Sequence, residues 1–149
     1  RYRCHMPVIV VGADTPIGNR IVEAFVDPGR EVRAFVTDED AGLRLRELGV
    51  KVALGDVSDD SHIAGAATRC FSAVLVTEAA RDGRERAFAR DEAQVLRAWA
   101  NAVAGVRRVI WVHDGETPPV KPDEVAVVNP EEPDVVQRVV DLDELAELR

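Results

Sequence analysis

The sequence predicts a single α/β domain of three layers, in which a doubly wound, mostly parallel sheet of five to six strands is covered by helices on both faces. Three observations carry this. Short runs of β-branched, apolar residues recur along the chain, uniformly apolar as in strands buried on both sides. Between them lie segments whose apolar residues repeat at helical spacing. The alternation continues in order from residue 7 onward, which is the pattern of right-handed strand–helix–strand crossovers.

The first strand is Pro7-Val8-Ile9-Val10-Val11, ended by Gly12. After Pro16 a helix places Ile17, Ile21, Ala24 and Phe25 on one face and stops at Pro28-Gly29. Glu31 to Val36 is the second strand. Ala41 to Leu48 is a short second helix, with Leu45 and Leu48 inward and Gly49 at its end. Val50 to Leu54 is the third strand, Asp59 to Arg69 the third helix and Ala73 to Val76 the fourth strand. A long fourth helix is predicted over Gly83 to Ala104. At about 100° per residue it turns Phe88, Val95, Leu96, Trp99 and Val103 to one side and Arg86, Arg90 and Arg97 to the other. Val106 to Val112 is the fifth strand and Val125 to Val128 the sixth. Only about ten residues, Gly115 to Glu124, join these two, near the minimum for a parallel crossover. The sixth strand is therefore either parallel or an antiparallel edge. A closing helix follows around residues 140–146.

A chain of 149 residues is the size of one domain and buries roughly 68–70% of its unfolded surface. Residues 1–6 are set aside as an N-terminal arm, and 7–149 form the domain. No apolar run approaches the ~20 residues of a membrane span, and the run after the basic arm is too short for a signal peptide. The two cysteines, Cys4 and Cys70, have no paired spacing, and no Cys/His cluster suits a metal. A reducing cytoplasm and no metal are expected. The net charge of −8 falls entirely within residues 114–149, so no basic footprint for nucleic acid or a membrane surface is present. Of the 19 basic residues 17 are arginine, a bias expected of a high-GC bacterial genome.

Gly12-Ala13-Asp14-Thr15-Pro16-Ile17-Gly18 joins the first strand to the first helix. Here a helix N-terminus offers backbone amides to a pyrophosphate. The first glycine of such a loop makes the tight turn and the last lets helix and strand pack closely. The middle position, usually free of a side chain, is Thr15. Its hydroxyl is able to bond a phosphate, while its Cβ holds the ligand off. Gly12 and Gly18 serve either this purpose or turn and packing alone.

With these elements in order, the chain resembles the atypical short-chain dehydrogenase/reductases, especially their NmrA-like NAD(P)-binding branch. The resemblance runs through Val8 to Gly18, Val32 to Asp38, Leu48 to Val57, Ala73 to Thr77 and Gly105 to Val112. It implies a Rossmann sheet of strand order 3-2-1-4-5-6, with a dinucleotide held by Gly12, Asp14, Thr15, Pro16, Ile17, Gly18, Thr37, Asp38, Asp56, Val57 and Thr77. Asp56 matches the acidic residue that contacts the adenine amino group. Relatives that bind NADP place an arginine at the position of Thr37, whereas this chain has Thr37-Asp38-Glu39-Asp40. Those carboxylates repel a 2′-phosphate of about −2 charge, while Asp38 is able to accept from a free 2′-hydroxyl. NAD(H) is thus expected over NADP(H). The same acids are equally suited to cap the second helix. Glu78, next to Thr77, faces phosphates unfavourably if it points inward.

Reductases of this family use a serine at the end of the fifth strand and a Tyr-x-x-x-Lys on the next helix, the lysine lowering the tyrosine pKa. Here the serine position falls at Val112-His113-Asp114, the only tyrosine is Tyr2 in the arm, and no Tyr-x-x-x-Lys exists. His113 is either a tentative proton shuttle beside Asp114 or a strand-end polar residue. The reading that follows is an NAD(H)-binding module without its own dehydrogenase chemistry, vestigial or sensor-like. One alternative is a small NAD(P)H-dependent reductase or epimerase-like oxidoreductase; another is a non-binding interaction protein on the same scaffold. A homodimer is expected to form through the fourth helix.

Overall fold

A computed structural model describes residues 6–148. The expected arm, with Tyr2 and Cys4, lies outside the described residues except for Met6. The strands are β1 (Val8–Val11), β2 (Val32–Val36), β3 (Lys51–Leu54), β4 (Ser72–Val76), β5 (Arg108–Val112) and β6 (Glu124–Val128). The helices are α1 (Pro16–Phe25), α2 (Glu39–Glu47), α3 (Asp60–Ala66), α4 (Glu78–Arg81), α5 (Glu92–Ala102) and α6 (Val135–Glu144). Four of these helices begin where a side chain accepts a first-turn amide. Thr15 accepts from Gly18, Asp38 from Ala41, Asp59 from His62 and Asp91 from Gln94. Each such cap contributes about 1 kcal/mol.

The six strands form one sheet of order β3-β2-β1-β4-β5-β6, parallel at every pairing. Alternation along each strand divides the core in two. Ile9, Val11, Phe35, Leu75 and Trp111 face α3 and α5, where Ile63, Val95 and Trp99 meet them. Val8, Val10, Ala34, Val74 and Ile110 face Ile21, Phe25, Leu45 and Val139 of α1, α2 and α6.

The orientation that the sequence left open for β6 is parallel, with Arg108 opposite Glu124 in the register. Those two residues also form a buried ion pair, which ties β6 to β5 at this register. At the C-terminal end of α6, Arg108 Nη1 donates to the carbonyls of Leu142, Asp143 and Leu145 at 2.8–2.9 Å. A cation is favoured at such an end.

Two helical expectations are corrected. Leu48 is not an inward helical residue: it caps α2 and is half exposed. The long fourth helix does not exist as one piece. The chain makes the single turn of α4, passes Gly83 at φ +85°, and runs irregularly to Asp91 before α5 begins. Val95, Leu96, Trp99 and Val103 are buried as expected, but Phe88 is 69% exposed. Arg86 lies outside any helix and donates to the Ala80 carbonyl at 2.7 Å. Residues 83–91 carry helical periodicity, but tertiary hydrogen bonds from Arg84 to Asp14, Ala87 to Asp56 and Phe88 to Ser58 outweigh it. Among the described residues, no helix is long and apolar enough to cross a membrane.

Candidate functional site

The strand order reverses between β1 and β4: the chain leaves β1 toward β2 and β3, and leaves β4 toward β5 and β6. The crossovers therefore diverge onto opposite faces and open a crevice above the carboxyl ends of these two strands, where ligands of such sheets bind. Every sequence-predicted site residue lies along this carboxyl edge: 12–18 after β1, Thr37 and Asp38 after β2, Asp56 and Val57 after β3, Thr77 after β4, and His113 after β5.

The two loop glycines are required by close approach. Gly12 has φ +83°, and a Cβ there would lie 2.6 Å from the Val76 carbonyl oxygen. A Cβ on Gly18 would lie 2.0 Å from the Gly12 carbonyl oxygen. Thr15 turns into the loop, while Glu78 lines a cavity next to Ile17. Thr15 is buried, its Oγ1 donates to the Gly12 carbonyl at 2.7 Å and accepts from the Gly18 amide at 3.0 Å. Its hydroxyl proton is thereby committed within the loop. Pro16 has no N–H, and the Asn19 amide bonds the Thr15 carbonyl at 2.8 Å. The Ile17 amide is left as the first-turn donor not used in this capping.

At the end of β2, Asp14 reaches across. Its Oδ2 accepts from the amides of Thr37 and Asp38 at 2.8 and 3.0 Å. Its Oδ1 accepts from Arg84 Nη1 at 2.8 Å, and that nitrogen also lies 3.3 Å from Thr37 Oγ1. Asp38 itself caps α2 through Ala41 N at 2.9 Å, which is the second of the two roles its sequence context allowed.

At the end of β3, Asp56 Oδ2 accepts from the Ala87 amide at 2.8 Å, and Oδ1 from the Ser58 amide at 2.8 Å and the Ser58 hydroxyl at 2.5 Å. Ser58 Oγ in turn accepts from the Phe88 amide at 2.9 Å. Val57 is buried, and its carbonyl accepts from Trp99 Nε1 at 2.7 Å. The 82–91 segment is thus tied along the β2–β3 edge by Arg84, Ala87 and Phe88. Burial pushes the Asp56 carboxyl up, but the hydrogen bonds from Ser58 and Ala87 outweigh it and hold the group below its ordinary value. A lowered carboxyl contributes stability above the unfolded pKa and loses it as pH falls through the folded value. Hydrogen exchange at the Ala87 amide is therefore expected to accelerate, relative to its intrinsic rate, as pH drops below about 4. An unchanged protection factor would refute this.

At the β4–β5 end, His113 is buried and its Nδ1 lies 2.7 Å from Thr77 Oγ1. That hydroxyl also bonds the Val112 carbonyl at 3.0 Å, and Arg81 Nη2, which only donates, lies 3.4 Å from the same Nδ1. Asp114 pairs not with His113 but with Arg81 at 3.0 Å, and Arg81 also binds Glu92 at 2.6 Å. A cavity of about 240 Å³ lies here, lined by Ile17, Thr77, Glu78, Arg81 and Asp114 among others. Among the described residues, no group of three metal-ligating side chains comes together.

Sequence reasoning missed Arg81, Arg84, Ser58 and the amides of Ala87 and Phe88. One local signal pointed the right way. Asp91 and Gln94 have capping-box spacing, and Gln94 Oε1 accepts from the Arg90 amide at 2.7 Å. A helix starting at 92, rather than 83, would have left residues 83–90 available to the crevice.

The profile described as NAD(P)H-binding matches residues 12–144. The chain is 29% identical over 111 residues to an uncharacterized sugar epimerase, YhfK, of Bacillus subtilis (strain 168). That match covers 72% of this chain and 52% of the relative, so the chain spans about half the relative's length. Among solved structures, the anaerobillin reductase ChuY of Escherichia coli superposes with a TM-score of 0.55 at 24% identity, covering 73% of this chain and 51% of that one. An NADPH-dependent quinone oxidoreductase of Escherichia coli, complexed with NADPH, superposes with a TM-score of 0.56 at 19% identity, covering 70% of this chain and 36% of that one. At such identities the superpositions speak for the fold alone. With the profile spanning most of its length, from the glycine turn to the last helix, the chain belongs to the NAD(P)H-binding family on a Rossmann scaffold.

Proposed function

We propose that the chain is an NAD(H)-binding module without the proton relay of the reductases it resembles, one that holds or senses the dinucleotide and does not turn it over. One observation carries the reading. The Gly12–Gly18 turn tolerates no side chain at either glycine, while the end of β5 offers Val112-His113-Asp114 where the reductases place a serine. The residues fit a dinucleotide. Gly12 and Gly18 hold the turn tight against β4 and α1, which keeps the N-terminus of α1 at the crevice where a pyrophosphate would rest, and Asp56 presents a carboxylate at the adenine end. There an adenine amino group would replace the Ala87 amide, donor for donor. Such an exchange keeps the hydrogen-bond count and lifts part of the 82–91 segment. A dinucleotide of this class supplies hydride chemistry when bound; the chain's own residues bind and orient it. The Cys70 thiol, pushed up to about 11 by burial, is inert and suits a reducing cytoplasm.

Calorimetric titration with NADH and NADPH tests the reading. Heat of binding with NADH, together with loss of protection at the Ala87 and Phe88 amides, is expected. Neither heat nor a melting shift at millimolar NADH would end it.

A second reading, a small reductase, draws on His113. The ring is buried outside the lining of the 240 Å³ cavity and is bonded to Thr77, which does line it, so a proton would pass between imidazole and cavity through the Thr77 hydroxyl. Cofactor oxidation over a panel of quinones and carbonyls separates the two. Turnover abolished by His113→Ala favours the reductase, and turnover unaffected by that change removes His113 from it.

A further inference from the structure

The end of β2 carries an anion cradle that the chain fills with its own carboxylate. Two consecutive amides, Thr37 and Asp38, converge on Asp14 Oδ2. The Arg84 guanidinium closes on Oδ1 and touches Thr37 Oγ1. The Asp14 side chain is 2% exposed, and Arg84 is further gripped by Asp82 at 2.6 Å. Adjacent amides and a guanidinium around one oxyanion form the donor set that takes phosphate oxygens. In sheets of this topology the end of the second strand reads the adenosine ribose: an acid there takes the 2′-hydroxyl, and an arginine takes a 2′-phosphate. Both kinds of group are present in this chain, and they are bonded to each other.

We propose that Asp14 selects the cofactor: its carboxylate occupies a ready-made 2′-phosphate cradle built from the Thr37 and Asp38 amides and Arg84, and so excludes NADP(H). This rests on the dinucleotide-binding reading above and assigns its selectivity to a residue in the glycine loop. Two effects act in the same direction. The donors a 2′-phosphate needs are already consumed, and its charge of about −2 would meet a buried carboxylate with Asp38, Glu39 and Asp40 close by in the chain. The sequence gives that selectivity to Asp38, whose Oδ2 caps α2 through Ala41 N; Asp14, which holds the cradle's own donors, acts alongside it.

Asp14→Ala, titrated calorimetrically as the full chain, is expected to shift the affinity ratio of NADPH over NADH upward by about tenfold or more. Adding Arg84→Ala to it takes most of that gain away. Inorganic phosphate tests the cradle without the dinucleotide. It is expected to raise the thermal midpoint of Asp14→Ala by filling the vacated site and to move the Thr37 and Asp38 amide resonances, leaving both unchanged in the unaltered chain. If Asp14→Ala folds poorly, Asp14→Ser carries the same measurements. A ratio altered by less than about twofold, or amides indifferent to phosphate in the variant, overturns the proposal. Should the unaltered chain bind neither nucleotide, the dinucleotide reading fails and the phosphate arm alone decides whether a cradle exists beneath Asp14.

Discussion

Arg108→Met is expected to lower the stability of the domain by about 3–5 kcal/mol, the cost of breaking a buried ion pair from one side. The Arg108 side chain is fully buried, with Nε and Nη2 on Glu124 and Nη1 on three carbonyls at the end of α6. Its guanidinium also lies over the Phe71 ring at 5.1 Å. Methionine keeps most of the volume and none of the donors. Three carbonyls lose a partner, and Glu124, 10% exposed, keeps only Arg107 and the Leu148 amide. For a domain of this size the thermal midpoint is expected to fall by roughly 10 °C, with β6 and α6 the first elements to lose amide protection. Arg108→Met with Glu124→Leu should recover part of the loss, because an apolar pair leaves no stranded charge. A scanning calorimetry drop of less than about 1 kcal/mol in the single variant would mean that water reaches the network and screens it.

The glycine turn gives the second large effect, and its sign opposes helix propensity. Gly18 lies inside α1, where alanine is intrinsically favoured by about 1 kcal/mol. The same replacement at Gly65 in α3, where a Cβ would meet nothing within 4 Å, is expected to stabilise the chain by about 0.4–1 kcal/mol. At Gly18 the added carbon would lie 2.0 Å from a backbone oxygen and 2.8 Å from Thr15 Oγ1. Backbone must move, and overpacking of this kind costs about 1–3 kcal/mol or more. Gly18→Ala is therefore expected to be destabilised overall and to lose NADH binding, since the displaced Gly12 carbonyl and Thr15 cap are the loop itself. Urea denaturation of the two variants side by side tests this. Equal, positive shifts for both would show that the turn has room to relax.

The strands could be read without coordinates because their signal is local. Runs such as Val8–Val11 and residues 73–76 are β-branched or apolar throughout, and burial on both faces is the one environment that suits them. The helix starts at Asp38 and Asp59 announce themselves for the same reason: a short carboxylate beside a helical repeat meets an amide three residues on. Gly12 and Gly18 were likewise visible as the ends of a turn. Residues 83–91 were not readable in this way. Their helical periodicity is real, but the hydrogen bonds that decide their course join Arg84 to Asp14, 70 residues away, and Ala87 to Asp56, 31 residues away. Periodicity carries no record of such partners. Nor could spacing orient β6, whose ladder to β5 is parallel and carries the buried Arg108–Glu124 pair. Asp14, Thr15 and Asp38 each had several acceptors or donors within reach along the chain. Which of them each residue took was settled only when the folded sheet brought β1, β2 and the segment after β4 to one edge, because a buried polar group must bond whatever the fold places beside it.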